Sequence, residues 1–197
     1  MAEVEILVEG YASADPSGGR YCPTITLVKS RGMRIIVDPG TVQNQQIIVQ
    51  GLSDQGLELD DVDVVFITHS HLDHYRNLGM FPRAKVLEFW GVWDGDRCTD
   101  WQEQLTDEVR IVRTPGHSHD SLTLLVKTGR GAVAVCGDVF WKRDYPEEDP
   151  YAEDAVQLKK TREHVLQLAE YVIPGHGDMW KVGEARDTLT EPGVSRA

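Results

Sequence analysis

Apolar positions cluster in short runs rich in β-branched residues, at residues 4–8, 24–29, 33–37, 62–68, 84–88, 109–113, 121–126 and 132–136, and each run ends in a turn signal. Runs of that length and make-up predict strands. Two stretches carry a helical period instead. Residues 43–55 predict one helix, and residues 150–171 a longer one in which Ala155, Leu158, Val165, Leu168 and Ala169 recur at helical spacing. Asp149-Pro150 is its start signal and Pro174-Gly175 its stop. Residues 90–107, with Trp90, Trp93 and Trp101 among acidic neighbours, and residues 141–150 read as loops, either functional lids or solvated segments. Strands come first as hairpins and helices intervene later. The expected class is therefore α/β, a sandwich with mixed sheets rather than a doubly wound parallel sheet.

Composition narrows this picture. The chain has 197 residues, 41% hydrophobic and 26% charged, with 20 Lys plus Arg against 32 Asp plus Glu and a net charge of −12. That length holds one full core, expected over residues 1–180, and a polar tail over 181–197 that frays. The longest apolar run, 62–67, is broken by Asp63 and is far short of a membrane span, so no membrane partner is expected. The acidic N-terminus lacks the basic start of a secretory signal, and Cys22, Cys98 and Cys136 form no CxxC pair. The expected compartment is cytoplasmic, with the cysteines used for packing. A charge of −12 argues against a broad nucleic-acid-binding surface.

The histidines carry the chemistry. Thr68-His69-Ser70-His71-Leu72-Asp73-His74 directly follows the apolar run ending at Ile67. Its four potential ligands cannot share one helix face, so they suit a loop leaving a strand end. Such a loop can wrap one metal with His69 and His71 while turning Asp73 and His74 toward a second. Downstream, Pro115-Gly116-His117, Gly137-Asp138 and Pro174-Gly175-His176 each deliver one ligand at the end of a strand, with Gly allowing close backbone approach. Imidazole and carboxylate together suit Zn²⁺, and also Fe or Mn.

With Val37-Asp38-Pro39-Gly40, the HxHxDH cluster, Pro115-Gly116-His117-Ser118, Gly137-Asp138 and Pro174-Gly175-His176-Gly177, the chain resembles the metallo-β-lactamase superfamily from its first strand to Trp180. Within it, Val8-Glu9-Gly10-Tyr11, Asn77-Leu78 and Phe81-Pro82 are most similar to the small subfamily called metallo-β-lactamase domain-containing protein 1, among the glyoxalase II-like hydrolases. The resemblance implies an αββα sandwich of two mixed sheets flanked by helices. It implies two divalent ions, zinc before iron or manganese: one held by His69, His71 and His117, the other by Asp73, His74 and His176, with Asp138 bridging. Asp38 would orient a ligand histidine or serve as a turn residue. His119 and Tyr75 are candidate substrate contacts, against the plainer readings of a solvent-facing loop histidine and a packing aromatic, and His164 reads as surface.

The implied chemistry is hydrolysis by a metal-bridging hydroxide, with Asp73 and Asp138 catalytic. Phosphodiester or RNA cleavage leads. Thioesterase, lactonase or β-lactamase activity on small ester-like substrates is the alternative, and a mononuclear iron sulfur dioxygenase represents another class. Arg76, Lys142 and Arg143 are candidate cations for an anionic substrate, whereas Lys159, Lys160 and Arg162 read as a solvated helix face. The oligomeric state stays open, a homodimer included.

Overall fold

The structure is a computed structural model and describes residues 1–13, 18–143 and 146–184. In chain order its elements are β1 (Glu3–Val8), β2 (Tyr11–Ser13), β3 (Arg20–Cys22), β4 (Ile25–Ser30), β5 (Met33–Val37), α1 (Gln46–Asp54), β6 (Val64–Phe66), α2 (Leu72–Tyr75), β7 (Lys85–Glu88), β8 (Gly91–Asp94), β9 (Arg97–Thr99), β10 (Gln104–Thr106), β11 (Val109–Arg113), β12 (Leu122–Thr128), β13 (Gly131–Val135), α3 (Ala155–Leu168), β14 (Tyr171–Ile173) and β15 (Trp180–Lys181). One sheet runs β1-β4-β5-β6-β7-β8-β9 and the other β10-β11-β12-β13-β14-β15, with β2 and β3 as a separate hairpin. Both large sheets are mixed: β5, β6 and β7 run parallel in the first, and β13 and β14 in the second.

Burial on both faces explains why the inner strands β4, β5, β6, β12 and β13 read as largely continuous apolar runs rather than alternating ones. Ile35 and Val37 point into the space between the sheets beside Phe66, Leu87, Leu122, Leu124 and Val126. Their neighbour Ile36 points outward, joining Leu27 and Val65 beneath Ile48 and Leu52 of α1. On the second sheet Leu125, Ala134 and Val172 pack under Leu158 and Val165 of α3. The layers are therefore helix, sheet, sheet, helix. Each fully buried aliphatic or aromatic side chain contributes about 1.5–3 kcal/mol to holding them together.

Several boundaries differ from expectation. Residues 90–107 are not a loop: β8 and β9 form a hairpin in register Val92↔Thr99, Trp93↔Cys98 and Asp94↔Arg97, and β10 follows. Arg97, Cys98 and Thr99 are all exposed on an edge strand, so no apolar run marks it. The Asp94-Gly95 pair, with Gly95 at φ +62°, was the usable hairpin signal. α3 starts later than Asp149-Pro150, because Asp154 caps it by accepting from the Gln157 N–H at 2.8 Å. It stops at Leu168, short of Tyr171, which opens β14. The sheet also extends past residue 180, since Lys181 pairs with Tyr171. The remainder of the expected tail, 185–197, lies outside the described residues, as do residues 144–145 of the expected 141–150 loop. Among the described residues no helix is long and apolar enough to cross a membrane.

Topology gathers the motifs at one edge. β5, β6, β11, β13 and β14 end respectively just before Asp38, the His69 cluster, the His117 loop, Asp138 and His176. Parallel pairing brings the ends of β5 and β6 together, and likewise those of β13 and β14. The two sheets are tied at this edge by backbone bonds from Leu122 N–H to Thr68 O at 2.7 Å and from Thr24 N–H to Gly175 O at 2.6 Å.

Candidate metal centre

Two clusters of ligand atoms meet at that edge. In the first, His71 Nδ1 lies 3.0 Å from both His69 Nε2 and His117 Nε2, and Asp138 Oδ2 lies 3.9 and 3.5 Å from the same two nitrogens. In the second, Asp138 Oδ1 is 3.3 Å from both His74 Nε2 and His176 Nε2, while Asp73 Oδ2 is 3.8 and 3.5 Å from them. A tetrahedral ion at about 2.0–2.1 Å from its ligands separates those ligands by about 3.3 Å. Both clusters have edges of that size. His74 Nε2 and Asp138 Oδ1 are fully buried yet make no hydrogen bond. Buried polar atoms left without a partner are costly, and a cation between them removes that cost.

The far side of each ring explains its aim. His74 Nδ1 donates to Asp38 Oδ2 at 2.8 Å, His117 Nδ1 to Asp149 Oδ2 at 2.6 Å, and His176 Nδ1 to the Cys22 carbonyl at 2.9 Å. Thr68 Oγ1 donates to Asp38 Oδ2 at 2.7 Å, leaving its lone pair to accept from His69 Nδ1 at 3.1 Å. With Nδ1 engaged by these partners, the Nε2 atom of each of the four rings faces the cluster and is the one that would bind an ion. Asp38 thus reaches both clusters, directly through His74 and through Thr68 to His69. It does so from φ +51°, a left-handed conformation that an Asp tolerates better than most side chains.

A family model described as the metallo-beta-lactamase superfamily matches residues 21–97. The chain is also 31% identical over 191 residues to Metallo-beta-lactamase domain-containing protein 1 of Xenopus laevis, an alignment covering 91% of this chain and 81% of the frog protein. The chain belongs to the metallo-β-lactamase superfamily. As a member it is a metal-dependent hydrolase with an α/β sandwich fold. Its structure is similar to that of a metallo-beta-lactamase-type protein of Thermotoga maritima, at TM-score 0.74 and 25% identity, with 91% of this chain and 99% of that one covered. The dizinc quorum-quenching lactonase AidC shares the fold at TM-score 0.62 and 15% identity over 81% of this chain and 74% of its own.

Electrostatics divides the two clusters. Burial pulls the His74 imidazolium down, but Asp138 and Asp38 outweigh it and hold its pKa well above the ordinary value. His176 is raised in the same way, burial being overcome by Asp138. In the first cluster His69 is pushed well below the ordinary value by burial and by His74, and His71 is lowered by burial and His117. Burial would raise Asp138, yet His74 and His176 hold it well below the usual carboxylate range.

The clusters open into a cavity of about 420 Å³ lined by His71, Asp73, His117, Asp138 and His176 together with Tyr21, Trp141, Tyr151 and Glu153. Two candidate contacts lie elsewhere. Tyr75 packs into the apolar layer beneath α1 and does not line this cavity. His119 is exposed, its Nδ1 3.2 Å from Glu153 Oε2, and stands outside the lining too. Arg76 is exposed and also outside, whereas Lys142 and Arg143 line a second cavity of about 450 Å³ that shares His176. Arg162 does not sit on a solvated helix face with the exposed Lys159 and Lys160. Its guanidinium turns inward and donates to the carbonyls of Val139 at 2.7 Å, Pro146 at 3.4 Å and Glu147 at 3.3 Å.

Asp149, which in sequence shows only as a helix start signal, belongs to the site, and so do Tyr21, Tyr151 and Glu153, which no motif marks. Each lies many residues from the ligand motifs, and only the fold brings it near. The glycines in the motifs were informative: a Cβ at Gly175 would fall 1.8 Å from Asp138 Oδ1, and one at Gly116 would meet the α3 backbone at Leu158 at 2.4 Å.

Proposed function

We propose that the protein is a dinuclear metal-dependent hydrolase of small ester-like substrates, thioesters and lactones foremost. The observation that carries this is Asp138, whose two carboxylate oxygens each face a separate set of ligand atoms. His69, His71 and His117 would hold one ion and Asp73, His74 and His176 the other, with zinc suited to this nitrogen and oxygen set. When bound, such a pair supplies a water acidified to near neutral pH and polarises the scissile carbonyl.

The chain's own residues do the rest. Asp38, Thr68, Asp149 and the Cys22 carbonyl fix the imidazole orientations, and Asp73 would accept a hydrogen bond from the attacking water. Trp141, Tyr21 and Tyr151 wall the cavity. About 420 Å³ fits a small molecule, and no Lys or Arg is among the described lining residues. Two dications against Asp73 and Asp138 leave a net charge of about +2 for the substrate oxygen. The AidC lactonase offers a precedent for two zinc ions on this fold.

A second reading, phosphodiester or RNA cleavage, is favoured by Lys142 and Arg143, which line the polar cavity on the other side of His176. Metal quantification of purified protein, followed by parallel assays on a thioester, a lactone, bis-p-nitrophenyl phosphate, single-stranded RNA and a chromogenic cephalosporin, separates the two. Two divalent ions per chain, with thioester or lactone turnover above phosphodiester turnover, is the expected result. The reverse order transfers the assignment to phosphodiesters. A single iron with thiol-dependent oxygen uptake would make the protein a sulfur dioxygenase, and metal-loaded protein inert on every substrate defeats the hydrolase proposal.

A further inference from the structure

The loop leaving Asp138 brings more aromatic surface into the cavity than metal ligation uses. Trp141 is buried and stands edge-on to a ligand of each cluster, with ring centroids 6.5 Å from His117 and 6.2 Å from His176. Tyr151 lies nearly parallel to Trp141, at 10° and 5.6 Å between centroids, but remains 59% exposed at the cavity mouth. Across the cavity Tyr21 stands edge-on to His176 at 6.2 Å. Arg162 secures the start of the loop through the Val139 carbonyl, and the loop's far end is zipped to the His117 turn by bonds from Glu153 N–H to His117 O at 3.0 Å and Asp154 N–H to Gly116 O at 2.9 Å. Next to the ring, Tyr151 N–H donates to Asp149 Oδ1 at 2.9 Å, so the backbone that presents Tyr151 to Trp141 is held on both sides. Glu153 at the same rim is half-exposed, and the described lining residues include no cationic Lys or Arg.

We propose that the Trp141–Tyr151 face is a subsite for a planar apolar group of the substrate, an aryl ring joined by a short spacer to the scissile carbonyl, in a molecule with no second anionic charge. This rests on the hydrolase reading above and names the substrate class of the same site. Near-parallel rings present a flat step on which a third ring stacks, whereas a puckered ring touches only at its edges. A second carboxylate carried on the far side of the ring, away from the metal pair, would meet Glu153, whose Oε2 accepts from His119 N–H at 2.7 Å, and the described lining residues include no Lys or Arg to pair with it.

The test uses two thioesters of one thiol, phenylacetyl and cyclohexylacetyl, which share the spacer and differ in the flatness of the ring. In each, water adds to the carbonyl and the C–S bond breaks, giving the carboxylic acid and the thiol, which keeps the proton. The metal-loaded protein is expected to prefer the phenylacetyl ester in kcat/KM by roughly two- to tenfold, the range that aromatic pairing supports. Tyr151→Phe is expected to keep this ratio and Tyr151→Leu to bring it to about one. Because Tyr151 is largely exposed, neither variant threatens the fold. A 4-carboxyphenylacetyl thioester is expected to be a poor substrate that Glu153→Gln improves.

Calorimetric binding of phenylacetate and cyclohexylacetate to the metal-loaded protein gives the same comparison without turnover. If no thioester is hydrolysed yet phenylacetate binds more tightly and loses that advantage in Tyr151→Leu, thioester hydrolysis falls and the subsite stands. A wild-type ratio at or below one by either measurement, or one that Tyr151→Leu leaves unchanged, overturns the subsite. Equal use of the carboxylated ester by wild type and Glu153→Gln overturns its charge selection.

Discussion

Asp149 Oδ2 lies 2.6 Å from His117 Nδ1, and neither side chain has more than 1% of its surface exposed. The carboxylate comes from the same loop that carries Trp141 and Tyr151, so the wall of the cavity and the aim of a ligand are set by one segment. A buried carboxylate behind an imidazole fixes the tautomer and strengthens the nitrogen on the opposite side.

Removing that support is expected to weaken the first metal position selectively. Asp149→Ala should lower its affinity about 10–100-fold, the usual cost of losing such a partner, with a smaller loss for Asp149→Asn, whose amide oxygen still accepts from Nδ1. Competition against a chromophoric chelator measures both positions in one titration. Equal loss at both, or none at the first, would contradict the assigned role.

Metal binding should release protons unevenly. Raised pKa values mean that His74 and His176 of the metal-free protein keep their protons above the ordinary value of 6.5, whereas His69 and His71 lose theirs below it. Around neutral pH an ion entering the second cluster must displace protons, while one entering the first meets neutral rings. Affinity at the second position should therefore fall more steeply as pH is lowered from 8 toward 6.5. Calorimetry in buffers of different ionisation enthalpy counts the protons, and equal release at the two positions would refute the partition.

Asp38 is expected to be the most costly of the supporting residues to replace. It is 2% exposed and accepts from Thr68 N–H at 2.8 Å, Thr68 Oγ1 at 2.7 Å and His74 Nδ1 at 2.8 Å. Asp38→Ala strands buried donors and removes a side chain that suits φ +51°, so denaturant unfolding of the metal-free protein should show a loss of about 3–5 kcal/mol. Asp38→Asn keeps an acceptor and should cost less. A loss below that of an ordinary surface substitution would show that the network is not cooperative.

The sequence was most legible where one physical cause acted alone. Strands buried on both faces produced uninterrupted apolar runs, and the HxHxDH cluster with three further strand-end ligands placed all seven candidate ligand residues in the two clusters that the fold assembles. The run at 69–74 suits a loop on sequence grounds, but only its first half is one: α2 begins at Leu72 and carries Asp73 and His74 on one helical turn, directed at the second cluster. The β8–β9 hairpin was obscured because its edge strand is polar, and Arg162 because a charged residue on a helix gives no sign in sequence that its guanidinium turns inward. Asp149 and Tyr151 belong to the site only through long-range packing, which no local pattern encodes.

Glu9 provides a test of charge away from the ligands. Although both groups are exposed, its hydrogen bond to Asp178, helped by slight desolvation and by the Asp178 charge, raises its pKa from 4.5 to about 7. Between those values the folded protein holds a proton that the unfolded chain has released, so this contribution to stability is complete below about pH 4.5 and is lost as pH rises through about 7. Glu9→Gln keeps a donor toward Asp178 but cannot ionise. The variant should therefore match the metal-loaded wild type in melting temperature near pH 5 and exceed it at pH 8, where two carboxylates face each other in the wild type. Thermal unfolding of the two proteins across pH 5–8 gives the comparison, and parallel curves would mean that the two carboxyl groups do not share a proton.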